Sequence, residues 1–165
     1  MRVPVATLLL CVSIVGVYFF LSQGAAYIPN QEFYNLAATT IKNAQTGVLS
    51  HLFIHVSLEH LVGNLVPLLI FGALLEFGVA GFDVFVIFFS SGLLTGAFFS
   101  FLNPGTPLAG ASAAISGVMG AALSLSPRKA LVLLIAVPLS LSFLFIPAVN
   151  LASEQAKIQT QKQII

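Results

Sequence analysis

The chain has 165 residues, of which 58% are hydrophobic and only 7% are charged, and its net charge is +1. A soluble domain carries about 25% charged residues, so this composition excludes a water-soluble protein. The near-neutral charge also argues against nucleic acid as a partner, and a single cysteine, Cys11, excludes an internal disulfide and a Cys-rich metal site. We therefore predict an integral, multi-pass membrane protein whose partner is the lipid bilayer.

Five apolar stretches predict an all-α fold, a polytopic membrane helix bundle formed by a single domain of residues 1–165. A membrane helix needs about 20 apolar residues, and the fourth stretch is shorter than the others. The first stretch could instead be a signal peptide, but its apolar run exceeds the usual h-region of about 7–15 residues, so we favour a membrane helix. The predicted helices cover residues 3–21, 58–78, 82–101, 109–125 and 130–149, and a polar tail follows at 150–165.

Positive charges predict the orientation of the chain. Arg2 precedes the first stretch, and Arg128 and Lys129 follow the fourth. Alternating spans bring both sites to the same side of the membrane, and the positive-inside rule places that side in the cytoplasm. The N-terminus is then cytoplasmic, while the long first loop and the turn at residues 103–107 face outward.

Polar residues cluster where the second stretch begins. His60 and Asn64 are four residues apart, so they share one face of a helix. Polar side chains at this depth are functional candidates, or they hydrogen-bond neighbouring helices as packing contacts, and the spacing leaves both interpretations open. A metal site formed by His51, His55 and His60 is a third interpretation. It lacks an evident further ligand apart from Glu59, and we expect no metal.

Small residues dominate the fourth stretch and predict that its helix lies at the centre of the bundle. Ser112 lies near the start of this helix, where unpaired N–H groups and the positive dipole end could stabilise an oxyanion. The same serine could instead be tolerated within a small-residue packing surface. The small residues that recur at intervals of three or four are Gly110, Ala114, Gly117, Ala121 and Ser124.

Taken together, these motifs resemble the rhomboid family of intramembrane serine proteases. The resemblance covers about residues 50–122, and it extends to the flanks only in the order of the helices. It is carried by His55, His60 and Asn64, by the Gly-x-Ser motif at 110–112, by Gly72 with Glu76, and by the glycines at 92 and 96.

The resemblance implies a role for each matching residue. Ser112 would be the catalytic nucleophile, and His60, Asn64 and the Ser112 backbone N–H would donate to the oxyanion. One good donor of this kind contributes about 3–4 kcal/mol. His55 would be structural, near the substrate-facing loop, and Glu76 would hold the second helix and the first loop. No cofactor is implied.

The same resemblance implies a substrate and a location. The substrate would be a transmembrane helix of another protein, unwound near its outer end so that its backbone becomes accessible. The active site would face outward from a prokaryotic cell membrane.

The sequence departs from the family pattern in three places. The family's catalytic histidine lies on a sixth helix, whereas this chain has no histidine after His60 and ends at Ile165. A serine hydroxyl is a weak nucleophile without an adjacent base. Ala113 replaces a common glycine, and the first loop has no Trp and only Lys42 as a positive charge.

These departures leave two functions open. The chain is a truncated rhomboid-type protease, with the sixth helix missing and no activity alone, or a proteolytically inactive relative that binds membrane clients. A small transporter or channel subunit is a third class, but Glu76 and Asp83 form no relay across the bilayer. The substrate, the cleavage site, the general base and the oligomeric state stay open.

Overall fold

A computed structural model describes residues 3–25, 44–103 and 106–136, with only the backbone of residues 44–46. No β-strand occurs within these ranges. The helices are α1 (Val5–Ser22), α2 (Ala44–Ser50), α3 (Leu58–Glu76), α4 (Gly81–Leu102), α5 (Ser112–Leu125) and the described part of α6, residues 127–136.

Three of these helices, α1, α3 and α4, are long and apolar enough to cross a membrane. Helix α5 is apolar but has only 14 residues. The predicted all-α, polytopic membrane bundle is therefore confirmed. Residues 1–130 and 131–165 form two compact units, and of the second unit only helical residues 131–136 are described. The rest of the predicted fifth helix, 137–149, and the tail at 150–165 lie outside the described residues.

Helix α5 packs against both α3 and α4, while α1 packs on α3 and α4, and α2 packs on α4. Small residues permit this close approach between α4 and α5. A Cβ atom added at Gly117 would collide with the Ser91 side chain, and one added at Gly92 would lie 3.1 Å from the Ala114 Cβ. The backbones of α4 and α5 therefore meet at a distance that larger side chains would prevent.

The two ends of α3 carry the polar contacts that position the rest of the bundle. The Ser57 side chain caps the start of the helix by accepting a hydrogen bond from the His60 N–H at 3.2 Å. Pro67 lies inside the helix, where a membrane environment tolerates it. Glu76 is the last residue of the helix and is buried.

Candidate functional site

The start of α3 places His60 and Asn64 on successive turns at one end of the bundle. Because Ser57 fixes where the helix begins, His60 falls in its first turn and Asn64 one turn later. The Asn64 side chain is buried, and its Nδ2 donates one hydrogen bond to the His60 carbonyl at 2.9 Å. An amide nitrogen carries two hydrogens, so the second remains available to a ligand.

Gly110 brings the turn before α5 directly against these two side chains. A Cβ atom added to Gly110 would lie 2.7 Å from both Cε1 and Nε2 of His60, and 3.9 Å from Nδ2 of Asn64. Its φ angle is +107°, which L side chains rarely adopt. The turn therefore requires glycine for its conformation as well as for its contact with His60.

Helix α5 begins at Ser112, and residues 109–111 form the turn before it, although the predicted helix began at residue 109. The positive φ at Gly110 is incompatible with a continuous helix and explains the later start. Ala111 offers no side-chain cap. The first N–H groups of α5 are therefore left without an intrahelical acceptor at the point where Ser112 stands.

The Ser112 side chain is exposed, and its hydroxyl makes no hydrogen bond within the described part of the chain. Its backbone carbonyl accepts from the Ser116 hydroxyl at 2.9 Å. Ser112 thus lies two residues beyond the Gly110 turn, free to meet a ligand that approaches the His60 and Asn64 side chains.

His55 packs behind His60. The two ring centroids are 4.9 Å apart, His55 is fully buried, and its Nδ1 lies 3.4 Å from the Phe53 carbonyl. Its Nε2 has no hydrogen-bond partner among the described residues. Burial, reinforced by the charge on nearby His60, lowers the pKa of His55 to about 4, although the Phe53 carbonyl opposes this. His55 is therefore a neutral ring that supports His60.

His51 is also fully buried, and burial lowers its pKa despite hydrogen bonding to backbone carbonyls. Its backbone carbonyl accepts a hydrogen bond from the Gly110 N–H at 2.8 Å. This contact could not be predicted from the sequence, because any residue type supplies a carbonyl. Over the described ranges, no group of three or more His, Cys, Asp or Glu side chains could hold a metal ion.

Glu76 lies at the other end of α3, away from this cluster. Its carboxylate accepts hydrogen bonds from the Ala6 N–H and the Thr7 N–H, both at 2.9 Å, and from the Thr7 hydroxyl at 2.8 Å. These partners belong to the first turn of α1, where a negative charge also suits the helix dipole. The described bonds of Glu76 tie α3 to the start of α1. Residues 26–43 lie outside the described chain, so the expectation that Glu76 also holds the first loop stays a prediction.

The cluster at the start of α3 and α5 combines a hydroxyl with several hydrogen-bond donors. Ser112 supplies the hydroxyl, the uncapped turn of α5 supplies N–H groups, and Asn64 and His60 supply side-chain nitrogens. Donors arranged in this way suit a negative charge that develops on an oxygen atom. No described hydrogen bond links Ser112 to a histidine, so an activating base is not evident within the cluster.

Comparison with known proteins gave one match. A family model described as Rhomboid domain matches residues 42–157, which is more than half of the chain. Neither the search of curated proteins nor the search of solved structures returned a match. The matched range includes α3, α4 and α5, and with them all the residues of the cluster described above.

Proposed function

The chain belongs to the rhomboid family, and on that premise we propose that it is an intramembrane serine endopeptidase that cleaves transmembrane segments of other membrane proteins. Ser112 is the nucleophile. The observation that carries this proposal is the contact of Gly110 with His60 and Asn64, because it brings two donor side chains to the turn that precedes Ser112.

The donors of the cluster suit the first step of amide hydrolysis. When the Ser112 hydroxyl attacks a peptide carbonyl, negative charge develops on the carbonyl oxygen. The Ser112 N–H, the second Asn64 amide hydrogen and the His60 Nε2–H would stabilise that charge. Donors placed before reaction need no reorganisation, and removal of one costs about 100- to 1,000-fold in kcat.

The length of α5 supports a substrate that lies within the membrane. Its 14 residues give a helix of about 21 Å, whereas the hydrocarbon core is about 30 Å thick. When the far end of α5 reaches one membrane surface, Ser112 lies below the other. A substrate helix must be unwound there, because the carbonyls of an intact helix are bonded internally.

The general base is the incomplete part of this proposal. His51 and His55 are fully buried, and their Nδ1 atoms face the carbonyls of Gly47 and Phe53. His60 lies against Gly110 as an oxyanion donor. We propose that none of these three histidines is the base, so that peptide hydrolysis at Ser112 needs a base from outside the described residues.

Among the described residues no base lies beside Ser112, and this favours a second candidate, a proteolytically inactive rhomboid relative that binds membrane clients. Such a protein needs a surface that binds a membrane segment, but it does not need the Ser112 hydroxyl. It predicts that Ser112→Ala binds transmembrane clients as well as the unmodified chain does, whereas the protease proposal requires the hydroxyl for reaction.

We also propose that the cluster faces outward and that the N-terminus is cytoplasmic. Arg128 and Lys129 are exposed at the start of α6, at the opposite end of α5 from Ser112, which agrees with the positive-inside rule. Labelling of cysteines introduced singly at positions 106 and 128 in intact cells tests this orientation, since only the first would react with an impermeant reagent.

A fluorophosphonate probe tests the protease proposal in detergent or lipid. The printed chain is compared with a form extended by whatever reading frame follows it, each with and without Ser112→Ala. Labelling of the extended form alone, lost in Ser112→Ala, supports a protease whose base lies elsewhere. Ser116→Ala is the matched control, because that exposed serine lies one turn further along α5.

Two other outcomes would change the conclusion. Labelling of the chain at Ser112 would mean that it contains its own base. If neither form reacts while both are folded, the protease proposal fails and the client-binding function replaces it.

A further inference from the structure

We propose that His51 is a positioning residue that sets the geometry of Ser112 without touching the substrate, an inference that rests on the proposed function. The first observation is the hydrogen bond from the Gly110 N–H to the His51 carbonyl at 2.8 Å. It joins the segment after α2 to the turn before α5.

The His51 ring is fixed in a slot on α4. The side chain is fully buried, and a Cβ atom added to Gly96 would lie 2.5 Å from its Cε1. The ring therefore occupies space that only glycine at position 96 leaves open. On its other side, the protonated Nδ1 donates to the carbonyl of Gly47, in the middle of α2, at 3.0 Å. These contacts leave the His51 backbone little freedom to move.

Gly110 is held from two directions as a result. Its N–H is bound to His51, and its α-carbon lies against the His60 ring. Ser112 follows two residues later at the start of α5. A displaced His51 backbone must release or shift Gly110, and Ser112 then moves relative to His60 and Asn64. Misplacement of a reacting group by about 1 Å can cost about 100-fold in rate.

This role differs from that of His55 and His60. Those two rings contact one another at the start of α3, whereas the described contacts of His51 run to α2, α4 and the Gly110 turn. His51 therefore acts on the nucleophile through the backbone of the Gly110 turn. Its ring does not supply a donor to the oxyanion.

A double-mutant cycle between His51 and Gly96 tests the inference. It is measured on whichever form of the protein, the chain itself or its extended form, the fluorophosphonate probe labels. Gly96→Ala should lower kcat about 10- to 100-fold and leave KM nearly unchanged, because the displaced ring shifts Ser112 without removing a substrate contact. In a His51→Ala background the added methyl meets no ring, so Gly96→Ala should have little further effect. The control is Gly120→Ala, because a Cβ atom there has no neighbour within 4 Å.

A second measurement does not depend on proteolysis. The Ser112→Cys substitution is made in a Cys11→Ser background, and the rate of reaction with a charged methanethiosulfonate reagent is recorded. A thiol at a helix N-terminus owes its reactivity to the nearby N–H groups, so Gly96→Ala should change this rate about threefold or more. Gly120→Ala should leave it unchanged.

The outcomes separate this inference from the proposed function. If neither the chain nor its extended form reacts with the fluorophosphonate probe at Ser112 but Gly96→Ala still changes thiol reactivity, the protease proposal fails and the positioning role stands. Unchanged kcat and unchanged reactivity in folded Gly96→Ala would overturn the positioning role, as would additive effects in the cycle. If Gly96→Ala does not fold, His51→Phe takes its place, because its larger ring overfills the slot at Gly96 and loses the hydrogen bonds to backbone carbonyls. Unchanged thiol reactivity in folded His51→Phe would likewise overturn the positioning role.

Discussion

The two ends of the bundle satisfy their polar groups in opposite ways. At the Glu76 end, one buried carboxylate accepts three hydrogen bonds from the first turn of α1. At the Ser112 end, α5 begins without a side-chain cap, and Nε2 of both His51 and His55 lacks a partner within the described residues. The first end is closed by hydrogen bonds, whereas the second leaves the first N–H groups of α5 and the acceptor Nε2 atoms of two histidines unused.

This difference shows how a membrane protein divides stability and reactivity between its ends. A donor that is already bonded inside the protein cannot stabilise a charge that appears during reaction. Unused donors cost stability, so the Glu76 end and the close contact of α4 with α5 must hold the helices together. The following substitutions break or sharpen this comparison, from the largest expected effect to the smallest.

Glu76→Ala should have the largest effect on stability. It removes the acceptor of three buried hydrogen bonds and leaves the Ala6 and Thr7 N–H groups without a described partner. We expect the free energy of unfolding to fall by about 3–5 kcal/mol. Denaturant unfolding in detergent micelles measures it. Glu59→Ala is the control, because Glu59 is an exposed carboxylate on the same helix. Equal losses of stability in both variants would show that the hydrogen bonds to Glu76 do not stabilise that end of the bundle.

Gly117→Ala should lower stability by about 2–3 kcal/mol, because the new methyl collides with Ser91 of α4. The same substitution at Gly120 meets open space and should change stability by less than about 0.5 kcal/mol. Thermal unfolding of both variants makes the comparison. If they behave alike, close packing of α4 and α5 does not hold the end that carries Ser112.

Mild acid should weaken the Ser112 end through His55. Its pKa is about 4 in the folded protein against 6.5 as the ordinary value, so the unfolded chain takes up its proton first. The stabilisation is complete above pH 6.5 and declines as pH falls towards 4, by about 2 kcal/mol at pH 5.

Unfolding midpoints of the protein and of His55→Gln between pH 7.5 and 5 test this expectation. The variant should show a shallower pH dependence. Some dependence should remain, because burial lowers the pKa of His51 in the same direction. The Glu76→Ala variant should keep the part of the pH dependence that comes from His55. If the pH dependence of the unfolding midpoint is unchanged in His55→Gln, His55 is not its source.

Thr7→Val should have the smallest effect, about 1 kcal/mol, because it removes one of the three hydrogen bonds to Glu76 and keeps the side-chain volume. Ser13→Ala is the matched control on α1. Its exposed hydroxyl bonds only to the Leu9 carbonyl of the same helix, so its loss should be nearly neutral. Chemical unfolding of both variants resolves the difference. If Thr7→Val is neutral, only the backbone N–H donors to Glu76 contribute to stability at that end.

Much of the candidate site follows from local sequence. The spacing of His60 and Asn64 predicts a shared helix face, and the structure places both side chains beside Gly110. Whether they and Ser112 perform catalysis stays a prediction. The contact between His51 and Gly110 could not be read from the sequence, because a backbone carbonyl is common to all residues and the partners are far apart along the chain.

Composition and the apolar stretches by themselves determined the membrane environment and the all-α class, because a bilayer admits few backbone arrangements. The resemblance to the family came from the polar and glycine motifs. Tertiary structure decided which helix ends contact one another. It gave Glu76 the start of α1 as its partner, and it delayed the start of α5 to Ser112. Both depend on the approach of segments distant in sequence: Gly72 leaves room for Thr7 of α1, and Gly110 lies against His60.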